Sequence, residues 1–194
     1  MKARKMRKAV FIDRDGVINR DPGGWTEHSY VTKWDDFYFL PEAKDAIKRL
    51  TDKGYDIVVV SNQAGVSKGY YTVRALNNIN AKMLKEIKKA GGRITKVYYC
   101  IHKDEDGCGC RKPNTGMLDQ AERELDVDVA GSYFIGDGKV DVEAGSKAGM
   151  KTVLVLSGKT TLEAAAGWDI KPDHIFADLS EAVDFIVAAK KKRE

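Results

Sequence analysis

Asp13 and Asp15 stand two residues apart at the end of an apolar run, Val10, Phe11 and Ile12, and Gly16 follows to permit a tight turn. In an extended chain residues i and i+2 face the same side, so both carboxylates are presented together. Such a pair can ligate Mg²⁺ through oxygen, and one member can act as nucleophile while the other serves as general acid and base. Solvated loop acids, or an acidic receiver-type pocket that only accepts phosphate, are the plainer accounts of the same pair. Ser61, Asn62 and Gln63, with Gly65 behind them, end a second apolar run, and a hydroxyl, amides and freed backbone N–H groups suit phosphate oxygens. Asp137 follows a third run, with Lys139 and Asp141 beyond; these acids complete a Mg²⁺ site or simply complement a helix dipole. Arg111 and Lys112, before Pro113, are cations able to offset the charge on a transferring phosphoryl group, or else an ordinary basic loop.

Cys100, His102, Cys108 and Cys110 form the spacing C-x-H-x5-C-x-C. Four borderline or soft donors can close a tetrahedral Zn²⁺ site, and with no ligand position left open such a zinc is structural. These are the only cysteines in the chain, and an odd number argues against a disulfide scaffold. A closed loop here braces the next two residues, Arg111 and Lys112.

The segments that must position these groups alternate between β-branched or aromatic apolar runs and stretches of helical period, the pattern of βα units on a parallel sheet. Strands are expected at 8–13, 55–61, 95–101, 132–136, 151–156 and 174–178, and helices at 42–53, 72–90, 115–126, 141–148, 159–166 and 180–191. The reactive residues then fall at carboxyl ends of strands, where open α/β sheets bind ligands. Two stretches break the alternation. One is the Cys/His segment, 100–110. The other runs from Arg14 to Leu40 and is rich in aromatics; it is either a specificity loop over the site, centred on 20–40, or a surface mini-core. His28 within it reads as solvent-exposed, His174 as structural, and Tyr70 and Tyr71 as helix-entry packing.

The chain of 194 residues is 43% hydrophobic and 32% charged, fits one domain over 1–194, and holds no apolar run of membrane-spanning length. Its formal net charge is +4, but nine of the 33 basic residues crowd into residues 1–8 and 190–194 against a single Glu, leaving the body between slightly acidic. A nucleic-acid partner would need a basic stripe on that body, so none is expected. The basic start runs straight into Val10 to Asp13 without the apolar core of a secretion signal, which predicts a cytoplasmic protein; a monomer or weak oligomer is expected.

The order of the pieces, a strand into Asp-x-Asp-Gly, a strand into Ser/Asn, a Lys, then a strand into Gly-Asp, resembles the haloacid dehalogenase superfamily over about residues 8–156. The resemblance implies a Rossmann-like three-layer α/β fold around a mainly parallel sheet, with a small lid loop and a structural zinc loop. It also implies that Asp13 attacks phosphorus to form an aspartyl-phosphate while Asp15 protonates the leaving oxygen and then activates water. Mg²⁺ would be held by Asp13, the backbone carbonyl of Asp15 and Asp137, with Ser61, Asn62, Gln63 and Lys112 around the phosphoryl group. FIDRDGVIN (11–19), SNQAG (61–65) and CGCRKP (108–113) are similar to the D-glycero-D-manno-heptose 1,7-bisphosphate phosphatases, in which Arg111 and Asp21 would meet a sugar phosphate. Histidinol-phosphate phosphatases share the zinc loop and catalytic pair and are the first alternative; a zinc-braced module that binds phosphate without turnover is the distant one. Two departures from the heptose pattern stand out. Gly138 separates Asp137 from Lys139, the other residue expected to bind the phosphate, where the family places a Lys directly after the Asp, and the His102–Cys108 loop is shorter than in some members. Elemental analysis of purified protein is expected to find about one zinc per chain, and its absence would remove the Cys/His assignment.

Overall fold

The computed structural model describes residues 7–191; most of the basic terminal residues noted above lie outside them. Each of the expected strands and helices is present with its ends within three residues of expectation. The strands are β1 (Ala9–Ile12), β2 (Asp56–Asn62), β3 (Lys96–Cys100), β4 (Tyr133–Gly136), β5 (Lys151–Val155) and β6 (His174–Phe176). The helices are α1 (Ala43–Asp52), α2 (Val73–Lys89), α3 (Gly116–Leu125), α4 (Lys139–Lys147), α5 (Leu162–Ala166) and α6 (Leu179–Lys191). Among the described residues no helix is long and apolar enough to cross a membrane.

The strands form one six-stranded sheet in the order β3-β2-β1-β4-β5-β6, parallel throughout. Central parallel strands are covered on both faces, which is why β1 reads as an unbroken apolar run, Ala-Val-Phe-Ile, with every residue buried. The period of two divides that run between two cores. Val10 and Ile12 pack with Ile47 and Leu50 of α1, Ile79 and Met83 of α2 and Val183 and Ile186 of α6. Ala9 and Phe11 point the other way, with Val58, Val60 and Phe134, onto Met117, Leu118 and Ala121 of α3 and Ala144 of α4. Three layers result, and the order of strands reverses at β1, so the crevice between the ends of β1 and β4 is the topological switch point.

Two expectations are corrected by local chemistry. Helix α4 begins at Lys139 rather than 141, because the Asp141 carboxylate accepts the Gly138 N–H at 3.1 Å and caps the helix from inside its first turn. Helix α5 begins at Leu162 rather than 159: Thr161 is its cap, accepting the Ala164 N–H, while residues 157–160 remain a loop tied to the end of β4. The 14–40 connection divides between the core and the edge of the crevice. Val17, Ile18, Val31 and Phe37 enter the main core, where Trp34 stacks on Phe37 and Phe39 meets Phe37 edge-on. The tip between them, around Asp21 to Tyr30, borders the crevice.

Phe11 is fully buried under α3, and removing its ring leaves a cavity in the core between the sheet and that helix. Phe11→Ala is expected to cost about 3–5 kcal/mol in urea unfolding; a loss under about 1 kcal/mol would contradict this packing.

Candidate active site

Asp13 continues the line of β1, its N–H bonded to Ile135 O of β4 at 2.9 Å. Its Oδ1 accepts the Arg14 N–H at 2.7 Å, and its Oδ2 lies 3.0 Å from Lys112 Nζ. The same ammonium lies 2.7 Å from Asp141 Oδ1 and donates to Val60 O at 2.8 Å, so all of its donor capacity is committed. Asp137, at the end of β4, is the third buried carboxylate. One oxygen from each of Asp13, Asp137 and Asp141 falls within 4.8 Å of the others. Gly16, at φ +79°, brings the β1 loop against this group so closely that a Cβ there would sit 2.3 Å from Asp137 Oδ2. A Cβ on Gly158, from the loop after β5, would sit 2.0 Å from the same oxygen.

Three buried acids around one buried ammonium leave an excess of negative charge. Burial, with the charge of Asp141 and Asp15 adding to it and Lys112 opposing, pushes Asp13 up to about 6. Burial together with Asp141 and Asp13 pushes Asp137 up to about 7. Lys112 is held above its ordinary value, since Asp13 and Asp141 outweigh the burial that disfavours its charge. A hard divalent cation with oxygen ligands fits this donor set, and Mg²⁺ is such an ion. Asp141, foreseen only as one of the acids near the third strand end, thus joins Asp13 and Asp137. The Asp15 side chain does not.

Asp15 faces the same cavity from another quarter. Its carboxylate receives Arg14 Nη2 at 3.0 and 2.9 Å, Asn19 Nδ2 at 2.8 Å and Gln63 Nε2 at 2.8 Å. Burial alone would raise its pKa, but the Arg14 guanidinium and these hydrogen bonds hold the carboxyl below the usual range. Gln63 is fully buried behind the wall rather than on it: Nε2 also reaches Ser61 Oγ at 2.9 Å, and Oε1 accepts from Arg14 and from Tyr71 OH. Tyr71 is therefore more than helix-entry packing. Asn62 spends its amide on the backbone of Lys112, donating to the carbonyl and accepting from the N–H, both at 3.0 Å. It sets the depth to which Lys112 enters.

The cavity enclosed by these residues measures about 450 Å³. Of the residues foreseen, Asp13, Asp15, Asp21, Ser61, Asn62, Arg111, Lys112 and Asp137 line it. Lys139 does not: its ammonium turns outward, 2.6 Å from Asp169 and 3.6 Å from Glu143. Tyr30, Asp104 and Lys159 line the cavity without having been singled out. Tyr30 lay within a segment flagged as a whole, whereas Lys159 sits in an ordinary Ser-Gly-Lys-Thr loop with no motif to mark it. His28 stacks on Tyr70 with ring centroids 4.2 Å apart.

Beside the cavity the Cys/His group has converged. The Sγ atoms of Cys100, Cys108 and Cys110 lie 3.0–3.5 Å apart, and His102 Nδ1 is 3.6 and 3.3 Å from those of Cys100 and Cys110. A tetrahedral Zn²⁺ with bonds near 2.3 Å spaces its sulfurs by about 3.8 Å, so small outward movements would admit the ion. The cluster is consistent with zinc. Arg111 leaves it paired to Asp104, Nε to Oδ1 at 2.6 Å, with Nη1 buried and without a hydrogen-bond partner.

A parallel sheet with an Asp-x-Asp loop, a buried lysine and an acidic strand end at its switch point defines a phosphatase of the haloacid dehalogenase class. A HAD-hydrolase-like family model matches residues 109–182. The chain is 37% identical over 188 residues to the D-glycero-β-D-manno-heptose-1,7-bisphosphate 7-phosphatase of Haemophilus ducreyi, covering 93% of this chain and 98% of that one. It is 37% identical over 153 residues to the enzyme of the same name from Pseudomonas aeruginosa, covering 79% and 83%. The crystal structure of D,D-heptose 1,7-bisphosphate phosphatase from Bordetella bronchiseptica, complexed with magnesium and phosphate, matches with a TM-score of 0.86 and 32% identity, covering 94% of this chain and 99% of that one. The chain belongs to the haloacid dehalogenase-like hydrolases, in the D-glycero-D-manno-heptose 1,7-bisphosphate phosphatase family.

Asp13 and Asp137 have folded-state pKa values near 6 and 7, above the roughly 3.9 of an unfolded aspartate. Their contribution to metal-free stability is full below about pH 4 and is lost as pH rises through 6 to 7, where both ionise against each other. A divalent cation binds the ionised pair and reverses that loss. Added Mg²⁺ is therefore expected to raise the melting temperature more at pH 8 than at pH 5.5; equal shifts would contradict the assignment of these carboxylates as the cation site.

Proposed function

We propose that this phosphatase removes the C7 phosphate of a D-glycero-D-manno-heptose 1,7-bisphosphate. The observation that carries the reading is Asp13 Oδ2 held against Lys112 at the floor of a cavity whose rim is built by Arg111 and the Asp21 to Tyr30 tip. Identity of more than 30% with enzymes of that name, over nine-tenths of the chain, supports the substrate. In this reading the chain works as one domain in the cytoplasm, monomeric or weakly associated.

The residues present account for the chemistry as follows. Lys112 keeps Asp13 oriented and partly neutralises it, and from that fixed position its positive charge offsets, at a distance, charge that builds on the phosphoryl oxygens. An Asp13 carboxylate oxygen forms a bond to phosphorus while the bond from phosphorus to the C7 oxygen breaks, and Asp15 delivers its proton to that leaving oxygen. Asp15 must first hold a proton, which Arg14 disfavours in the free protein. A phosphate dianion entering beside it adds like charge and works against Arg14, raising the carboxyl pKa. In the second half, Asp15 takes a proton from water, the water oxygen attacks phosphorus, and Asp13 leaves, releasing inorganic phosphate. Asp13 and Asp137, with Asp141 beside them and the Asp15 carbonyl, would hold Mg²⁺, which would supply positive charge to offset that of the carboxylates and the phosphate. Zn²⁺ on Cys100, His102, Cys108 and Cys110 would fix the loop that carries Arg111 and Lys112.

Asp13→Asn keeps the shape and removes the nucleophile, so phosphate release is expected to fall by at least about 10³-fold with the melting curve retained. Residual activity above a few per cent would defeat the assignment. Side-by-side turnover of both heptose 1,7-bisphosphate anomers and histidinol phosphate checks the substrate; a preference for histidinol phosphate would overturn it.

A further inference from the structure

Near the acidic floor, most cationic side chains are already occupied. Lys112 is shared between Asp13 and Asp141, Arg14 is taken by Asp15 and Gln63, and Lys139 is drawn outward by Asp169. Lys159 is different. It lines the cavity, and among the described residues no carboxylate oxygen lies within 4.0 Å of its ammonium.

Its backbone is tied to the site independently of its side chain. The Lys159 N–H donates to Asp137 Oδ2 at 2.9 Å, Thr160 Oγ1 donates to Asp137 O, and Ser157 Oγ donates to Gly16 O at 2.8 Å. The 157–160 loop is thereby locked to both the β1 and β4 ends. From there the side chain crosses the face of Gly138, where an added Cβ would stand 2.8 Å from Lys159 Cε and 3.2 Å from Nζ. Gly138 leaves the passage that this lysine uses, at the entry to α4. The residue that interrupts Asp137 and Lys139 in sequence is the one that admits a cation from the β5 loop.

We propose that Lys159 is a substrate-binding residue, its ammonium donating to a non-bridging oxygen of the phosphoryl group presented to Asp13, the part that the sequence reading gave to Lys139. This rests on the phosphatase reading of the site, not on the identity of the sugar. A lysine presents three donors, and with none committed to a carboxylate they are available to an entering dianion.

The test compares Lys159→Met, Lys159→Arg and Lys139→Met in the full chain with Mg²⁺. Competitive inhibition by inorganic phosphate is measured against p-nitrophenyl phosphate, and calorimetric binding of inorganic phosphate in the Asp13→Asn background gives a readout free of turnover. Lys159→Met is expected to weaken phosphate at least about tenfold in both measurements and to raise KM more than it lowers kcat. The backbone bond to Asp137 and the melting temperature should be unchanged. Lys159→Arg should recover most of the loss and Lys139→Met should behave as wild type. Should the methionine variant fail to fold, Lys159→Gln takes its place in the same comparison. Unchanged phosphate affinity in Lys159→Met, or a loss in Lys139→Met instead, would overturn the proposal. Phosphate binding that depends on Lys159 in a protein that does not turn over heptose bisphosphate would sustain the proposal while overturning the substrate.

Discussion

A single buried ammonium, that of Lys112, holds the acidic floor together. Ionised carboxylates are rarely buried without a partner, and here Asp13, Asp137 and Asp141 crowd one crevice with Lys112 touching two of them. Removing one partner of such a group leaves charge stranded in a poorly solvated place, which is why Lys112 must be delivered to a fixed depth. Asn62 does this by clasping both backbone polar groups of residue 112, which follows the Cys/His loop by two residues. The ends of two strands and the first turn of α4 therefore supply the acids, but a connection outside the sheet supplies the charge that lets them stay there. The residual negative excess is itself useful, since it is what a cation and then a phosphate dianion require in turn.

The acid/base side of the crevice follows a separate plan. Asp15 belongs to a polar cluster of Arg14, Asn19, Gln63 and Tyr71 that holds it at the edge of the same cavity, away from Lys112. Two aspartates only two residues apart thus sit in environments that drive their protons in opposite directions, Asp13 upward and Asp15 downward. Divergent environments of neighbouring titratable groups are how one loop can hold a nucleophile and a proton carrier.

Much of this was legible in the sequence because it depends on local pattern. The unbroken apolar run before Asp13 marked a strand that delivers the first acid at its carboxyl end, and the spacing of Cys100, His102, Cys108 and Cys110 marked four donors able to meet at one point. Asp13, Ser61, Lys112 and Asp137 were found because each ends a recognisable run or lies in a marked loop. What could not be read depends on direction rather than on position. Lys139 follows the acidic strand end in sequence, yet as the first residue of α4 it rotates away from the crevice. Lys159 lies some twenty residues further on and reaches the site because β5 neighbours β4 and its loop folds back across Gly138. Likewise nothing in the letters Ser-Asn-Gln says that the serine faces the cavity, the asparagine grips a backbone and the glutamine stands behind the wall. Those differences arise from alternation at a strand end coupled to a loop from elsewhere.

Asp137 sits between two glycines that belong to different loops, Gly16 after β1 and Gly158 after β5, each so near that not even a methyl group has room. The acid is thus the shared wedge of a joint, and both neighbouring loops take their resting position from it. In a survey of tolerated substitutions these glycines would rank beside the nucleophile, though neither carries a reactive atom. Intolerance at the end of this sheet measures how little empty volume surrounds one carboxylate as much as it measures chemistry.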